Sequence, residues 1–137
     1  MPATLAAIGI VAADMHESVR FYRALGLDVP EPEGDHLDIP LPGGVRLMLD
    51  SEELIRGLDP EWQPASGHSI ALAFECESPG GVDDLHGALV AAGFRSKKEP
   101  WDAFWGQRYA QVFDPDGNQI DLFAALPAGA DSRSTAA

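Results

Sequence analysis

The chain has 137 residues, of which 45% are hydrophobic and 23% charged, with a formal net charge of −13. This length fits one domain that buries a core without disulfides or a structural metal. The charge repels nucleic-acid backbones and anionic membranes, so neither is an expected partner. No apolar run approaches the ~18 residues of a membrane span. The acidic balance favours a cationic small molecule or a basic partner, and it equally serves solubility; both readings stand.

Cys76 is the only cysteine, which excludes an internal disulfide and any multi-cysteine metal site. A reducing cytoplasm is the expected compartment. The opening Met1-Pro2-Ala3-Thr4 has neither the basic nor the long apolar region of a signal peptide. Glu75 and Glu77 flank Cys76 and disfavour a thiolate, so a structural thiol is expected there.

In chain order, Ala7 to Ala12 reads as a strand. Asp14 is a good helix N-cap with Glu17 three residues on, in a capping-box arrangement. Met15, Val19, Tyr22 and Leu25 recur at helical spacing, and Gly26 suits the position after the helix. Leu37 to Leu41, a Pro42-Gly43-Gly44 turn and Val45 to Leu49 follow with strand-like alternation. Ser51 to Gly67 is a connector with a short helical turn over Glu52 to Leu58.

The second half repeats this order. Ala71 to Cys76 is a strand, and Val82, Leu85, Leu89 and Ala92 form a helical stripe closed by Gly93. Arg108 to Phe113, the turn Asp114-Pro115-Asp116-Gly117-Asn118, and Gln119 to Phe123 complete it. Aligning the halves pairs Ala7 with Ala71, Leu25 with Leu89, Gly26 with Gly93 and Leu27 with Phe94. It also pairs Pro42 with Pro115, Gly44 with Gly117, Leu47 with Ile120, Met48 with Asp121 and Leu49 with Leu122. The expected fold is therefore α+β: two tandem βαβββ modules whose curved mixed sheets surround a concave pocket. Module one covers about residues 4–50, the connector 51–67 and module two about 68–126, together one domain over 1–126. Residues 127–137 are small and polar and read as a disordered tail.

Two motifs carry a family resemblance. Ser18 to Leu27 (Ser-Val-Arg-Phe-Tyr-Arg-Ala-Leu-Gly-Leu) resembles the first helix and its exit in the vicinal oxygen chelate superfamily, which includes glyoxalases, extradiol dioxygenases and bleomycin-resistance proteins. Trp105-Gly106-Gln107-Arg108-Tyr109, the Asp114 to Asn118 turn and Asp121-Leu122-Phe123 together are similar to its closing hairpin. The resemblance spans about residues 4 to 126 and identifies the fold better than the activity, because this fold carries several chemistries.

Enzymes of that superfamily hold a divalent metal on ligands from the first and last strands of each module. Carried over, those positions are Ala7, Met48, Ala71 and Asp121. Alanines cannot ligate, a thioether suits hard or borderline cations poorly, and one carboxylate does not make a site. No metal and no other cofactor is expected; a rearranged divalent-metal site from His36, His68 and Asp121 is the alternative. His16 and His86 fall in the helices.

Strand alternation sorts Ile8, Ile10, Leu72 and Phe74 to the helix side and Ala7, Gly9, Ala71 and Ala73 to the other, where small residues leave volume for a ligand or merely pack tightly. Aromatic residues gather before the closing hairpin: Trp101, Phe104, Trp105 and Tyr109, with Trp62 of the connector a further candidate. Such rings stack on flat groups and attract cations, or close a core or dimer contact. Arg108, Asp121 and Met48 complete the candidate ligand-binding set, with Arg108 equally able to pair with surface carboxylates. The Trp105-Gly106 hairpin looks most like the bleomycin-resistance branch, which implies antibiotic resistance through a metal-free binding protein. It would sequester a flat, cationic or neutral compound and act as a cytoplasmic homodimer. The alternative is a glyoxalase- or dioxygenase-like enzyme with a noncanonical metal or acid–base site around Asp121.

Overall fold

Local signals decide where each element starts and stops in the computed structural model, which describes residues 2–67 and 69–127. Asp14 accepts a hydrogen bond from the Glu17 amide at 3.2 Å and opens α1 (Met15–Leu25). The Glu17 carboxylate does not return to the cap; it holds Arg20 at 3.0 Å. Ser51 and Ser78 cap α2 (Glu52–Leu58) and α3 (Pro79–Ala91) in the same way. At the exits, Gly26 and Gly93 take φ of 111° and 96°. The next amides then reach back, Leu27 to the Tyr22 carbonyl at 3.0 Å and Phe94 to the Leu89 carbonyl at 3.1 Å. This is the left-handed helix ending for which glycine is suited.

The strands are β1 (Ala7–Ala12), β2 (His36–Pro40), β3 (Arg46–Ser51), β4 (Ala71–Glu75), β5 (Ser96–Ala103), β6 (Gln107–Phe113) and β7 (Gln119–Ala125). They form two mixed sheets, ordered β1-β3-β2 and β4-β7-β6-β5. The chain divides into two compact units, one ending at Ser66 and the other starting at Gly67. The registers match the internal repeat: Gly9 stands opposite Met48 in the parallel pair β1–β3, as Ala73 stands opposite Asp121 in β4–β7. The turns correspond too. Gly44 donates to the Leu41 carbonyl and Gly117 to the Asp114 carbonyl, while Leu41 and Asp114 close on Val45 and Asn118.

The second unit has the full β-α-β-β-β order. The first has three strands, because Leu27 to Asp35 stays irregular where the counterpart of β5 would run. Pro30 and Pro32 each lack the amide hydrogen that a ladder needs. Strand β5, in turn, holds Lys97, Lys98, Glu99 and Pro100 and has no apolar alternation to announce it. It forms the edge of its sheet, and its register shifts between Ser96 and Trp101. Lysine, proline and bulges are what an edge strand tolerates and what protects it from pairing with other chains.

Alternation assigns each side chain to a face. In the first unit Ile10, Ala12, Leu37, Ile39, Leu47 and Leu49 are buried together with Val19, Phe21, Tyr22 and Leu25 of α1. In the second, Ala110, Val112, Ile120 and Leu122 are buried, and α3 packs on β5, β6 and β7 through Val82 and Leu89. His86 replaces Leu85 in that buried stripe, its Nε2 2.8 Å from Ser96 Oγ. The opposite face carries His36, Asp38, Arg46, Met48 and Asp50 in the first sheet, and polar and aromatic residues in the second. No helix among the described residues is long and apolar enough to cross a membrane. The expected tail lies outside the described residues from position 128 onward, as does His68.

Candidate ligand-binding face

The closing hairpin starts from a buried carboxylate. Asp114 is 2% exposed and accepts hydrogen bonds from the amides of Asp116 (2.9 Å) and Asn118 (2.8 Å) and from Asn118 Nδ2 (2.8 Å). These bonds explain the acidic turn motif: the side chain satisfies amides that the turn leaves unpaired. They also set the register in which Tyr109 faces Phe123 and Gln111 faces Asp121, with Trp101 opposite Tyr109 on the other side. All of these side chains therefore lie on the face away from α3.

The aromatic rings meet edge to face. Trp101 lies 6.1 Å from Trp105 and 5.4 Å from Tyr109, and Trp105 lies 5.3 Å from Tyr109, all between ring centroids. Phe104 extends the cluster to the hairpin tip, 5.1 Å from Trp105, and is 67% exposed. Phe123 stacks on Tyr109 at 6.3 Å. The indole Nε1 of Trp105 donates to Gln107 Oε1 at 2.8 Å, so the ring is held in place without being buried. Lys98 Nζ sits 3.8 Å from the Trp101 centroid, a cation–π contact already present within the chain.

Beside the rings, Asp121 is 7% exposed and accepts from Tyr109 Oη at 2.6 Å, Gln119 Nε2 at 3.0 Å and Gln111 Nε2 at 3.3 Å. All three donors are neutral. Lys97 Nζ donates to Gln119 Oε1, which relays its charge toward the carboxylate through an amide. Burial, then the bond to Asp121, pushes the Tyr109 hydroxyl well above its ordinary pKa. Cys76 also has a raised pKa, from burial first and Glu75 second, which leaves it a thiol.

The structure thus brings Trp101, Phe104, Trp105, Tyr109 and Asp121 onto one face. Arg108 is not among them. It projects from β6 toward α3, where its guanidinium grips Asp83 at 2.9 Å and 3.1 Å and Asp102 at 3.1 Å. Met48 and Trp62 belong to the first unit: Met48 Sδ lies 4.0 Å from Arg46 Nη2, and the Arg56 guanidinium covers Trp62 at 5.0 Å. His36 opens β2 and joins Asp50 and Asp38. Gln107, Gln111, Gln119, Lys97, Lys98 and Phe123 were not singled out from the sequence. Gln107, Gln111, Gln119 and Phe123 follow the odd-numbered alternation of β6 and β7 that Tyr109 and Asp121 set, whereas Lys97 and Lys98 lie on β5, which has no alternation to reveal them.

The positions at which the resemblance places metal ligands do not fit a divalent cation. Ala7 and Ala71 offer no donor atom, and the Met48 thioether already faces a guanidinium. Both Asp121 oxygens are engaged by protein donors. Among the described residues no three His, Cys, Asp or Glu side chains are grouped so as to hold a metal ion.

Two mixed sheets built from a repeated strand–helix–strand unit, with corresponding positions on their last strands, define the vicinal oxygen chelate class of folds. The chain belongs to the Glyoxalase/Bleomycin resistance protein/Dioxygenase superfamily, whose family model matches residues 4–122. Similar solved structures include a glyoxalase/bleomycin resistance protein/dioxygenase family enzyme from Burkholderia phytofirmans PsJN. It is 21% identical with a TM-score of 0.80, covering 90% of this chain and 100% of that one. A glyoxalase/bleomycin resistance protein/dioxygenase from Nocardioides is 29% identical with a TM-score of 0.72, covering 93% and 86%. A glyoxalase-related enzyme from Fulvimarina pelagi is 24% identical with a TM-score of 0.78, covering 93% and 94%. No curated protein matches the chain.

Proposed function

We propose that this protein is a metal-free binding protein that sequesters a flat small molecule, a cationic one included, on the aromatic face of its second sheet. The observation that carries the reading is the Trp101–Trp105–Tyr109 cluster, three rings in mutual edge contact with Phe104 exposed beside them. Planar guests stack on aromatic side chains, and an added cation contributes ~0.5–2 kcal/mol. Asp121, held by neutral donors alone, and the net charge of −13 favour a positive group on that guest. The unsuitable side chains at the inherited ligand positions support a metal-free mode of action.

Thermal-shift screening of aromatic and cationic compounds tests this reading. A binder at 100 times its Kd raises stability by about 2.7 kcal/mol, and Trp105→Ala should abolish that rise. A tightly held divalent ion in protein purified without chelator, with turnover lost on its removal, counts against it. By the same resemblance the protein acts as a cytoplasmic homodimer, and a solution mass of one chain overturns that part.

A second reading follows from the short Tyr109–Asp121 contact: acid–base chemistry around Asp121. In that case Asp121→Asn abolishes turnover of the substrate; an unchanged rate excludes the role.

A further inference from the structure

What the face would recognise can be read from the polar groups it leaves over, and this rests on the binding role just proposed. Gln107, Tyr109 and Gln111 occupy alternate positions of β6, so they share the open face with about 7 Å between successive side chains. A partner of fixed polarity orients each one. Indole N–H is donor only, so Gln107 turns its Oε1 to Trp105 and leaves its NH2 as a pair of donors. A carboxylate is acceptor only, so Tyr109 spends its one hydroxyl proton on Asp121 and leaves lone pairs. Gln111 gives one N–H to Asp121 and keeps Oε1 with the second N–H. None of the three makes another side-chain hydrogen bond among the described residues. Gln119, by contrast, is engaged at both ends, by Lys97 and by Asp121, and has little to offer a ligand.

We propose that this row selects its ligand by polarity. The guest is a flat ring carrying a hydrogen-bond acceptor, such as a carbonyl, for Gln107. At its far end it carries N–H donors, such as an aryl amine or amidinium, for Tyr109 and Gln111. The donor end then lies on the Asp121 side, where a positive charge is stabilised. The acceptor end lies on the Trp105 side. A guest with a donor at both ends confronts the Gln107 NH2 group with another N–H and leaves both unpaired.

Two probes of similar size test this, 4-aminoacetophenone and 4-isopropylaniline, the second lacking the carbonyl. Binding is followed by ligand-observed NMR at millimolar concentration. Wild-type protein should bind the ketone roughly 3–10-fold more tightly, the usual worth of one net hydrogen bond. Gln107→Glu still accepts from the Trp105 indole but turns an acceptor toward the carbonyl, so the preference should vanish or invert. Gln107→Met, which removes both polarities at similar length, should erase the preference and serves if the glutamate variant folds poorly. Equal affinities in the wild type, or a preference that survives both substitutions, overturn the polarity inference and leave the binding face standing. Failure of both probes, together with a flat thermal-shift screen of aromatic compounds, overturns the binding role itself and the inference with it.

Discussion

Tyr109 donates its hydroxyl proton to Asp121 Oδ2 across 2.6 Å, although the residue opposite it in the ladder is Phe123. The contact is diagonal, from β6 to the position two residues earlier on β7, a reach that long aromatic side chains possess. The same tyrosine carries the ring that joins Trp101, Trp105 and Phe123. One residue thus couples the polar network to the aromatic cluster.

Tyr109→Phe leaves the Asp121 carboxylate with its two amide donors and should cost about 1–3 kcal/mol in urea denaturation. The substitution also changes the response to alkali. The folded-state pKa of Tyr109 is raised above the unfolded value of about 10. Its contribution to stability is therefore complete below pH 10 and is lost as the pH rises from there toward the folded pKa. Wild-type stability should fall faster than that of Tyr109→Phe between pH 10 and 11; parallel curves would contradict the assignment.

His36 is held first by Asp50 and then by Asp38, and both bonds raise its pKa above the usual 6.5. A raised folded-state value means that its contribution is full below about pH 6.5 and lost as the pH rises through the folded pKa. An NMR titration of its ring proton should give a midpoint above 6.5. Asp50→Asn should bring that midpoint back down, and an unshifted midpoint in the variant would show that the pair does not form in solution.

Arg108 is a surface partner of Asp83 and Asp102 on the helix side of the sheet. Arg108→Met should alter stability by no more than about 1 kcal/mol, as for other exposed ion pairs. It should also leave the affinity for aromatic probes unchanged. A large loss of affinity would mean that Arg108 reaches the ligand after all.

Gly26 and Gly93 adopt φ of 111° and 96°, and no atom beyond the immediate chain neighbours lies within 4 Å of the point a β-carbon would occupy, so space is not the obstacle to a side chain there. Alanine at either site should cost about 1–2 kcal/mol through the left-handed backbone alone. Equal losses at both sites, measured by thermal unfolding, would show the two halves using the same helix ending to the same effect.

Much of the architecture was legible in the sequence because it is encoded locally. The boundaries of α2 at Glu52 and Leu58, the Asp14 cap and the glycine endings each depend on a few neighbouring residues. Strand β5 was not legible: its polar Ser-Lys-Lys-Glu-Pro start lacks alternation, and only its edge position makes such a strand stable. The aromatic members of the candidate face were legible as a cluster of types. Their glutamine partners share the odd-numbered alternation of β6 and β7, but that pattern marks a face and not a hydrogen-bond partner, so it did not single them out.

The repeat that pairs Gly26 with Gly93 and Met48 with Asp121 is a property of the sequence, and it alone was enough to indicate a duplicated α+β unit; that Ala7, Met48, Ala71 and Asp121 stand at ligand positions is what the family resemblance implies. Tertiary structure decided the rest. Arg108 and Tyr109 are neighbours in the chain, yet β6 sends one to Asp83 and the other to Asp121. That separation comes from pairing across strands, which sets faces and partners between residues far apart in sequence. The physical reason is that periodicity specifies two faces, while only the packing of α3 says which of them stays open.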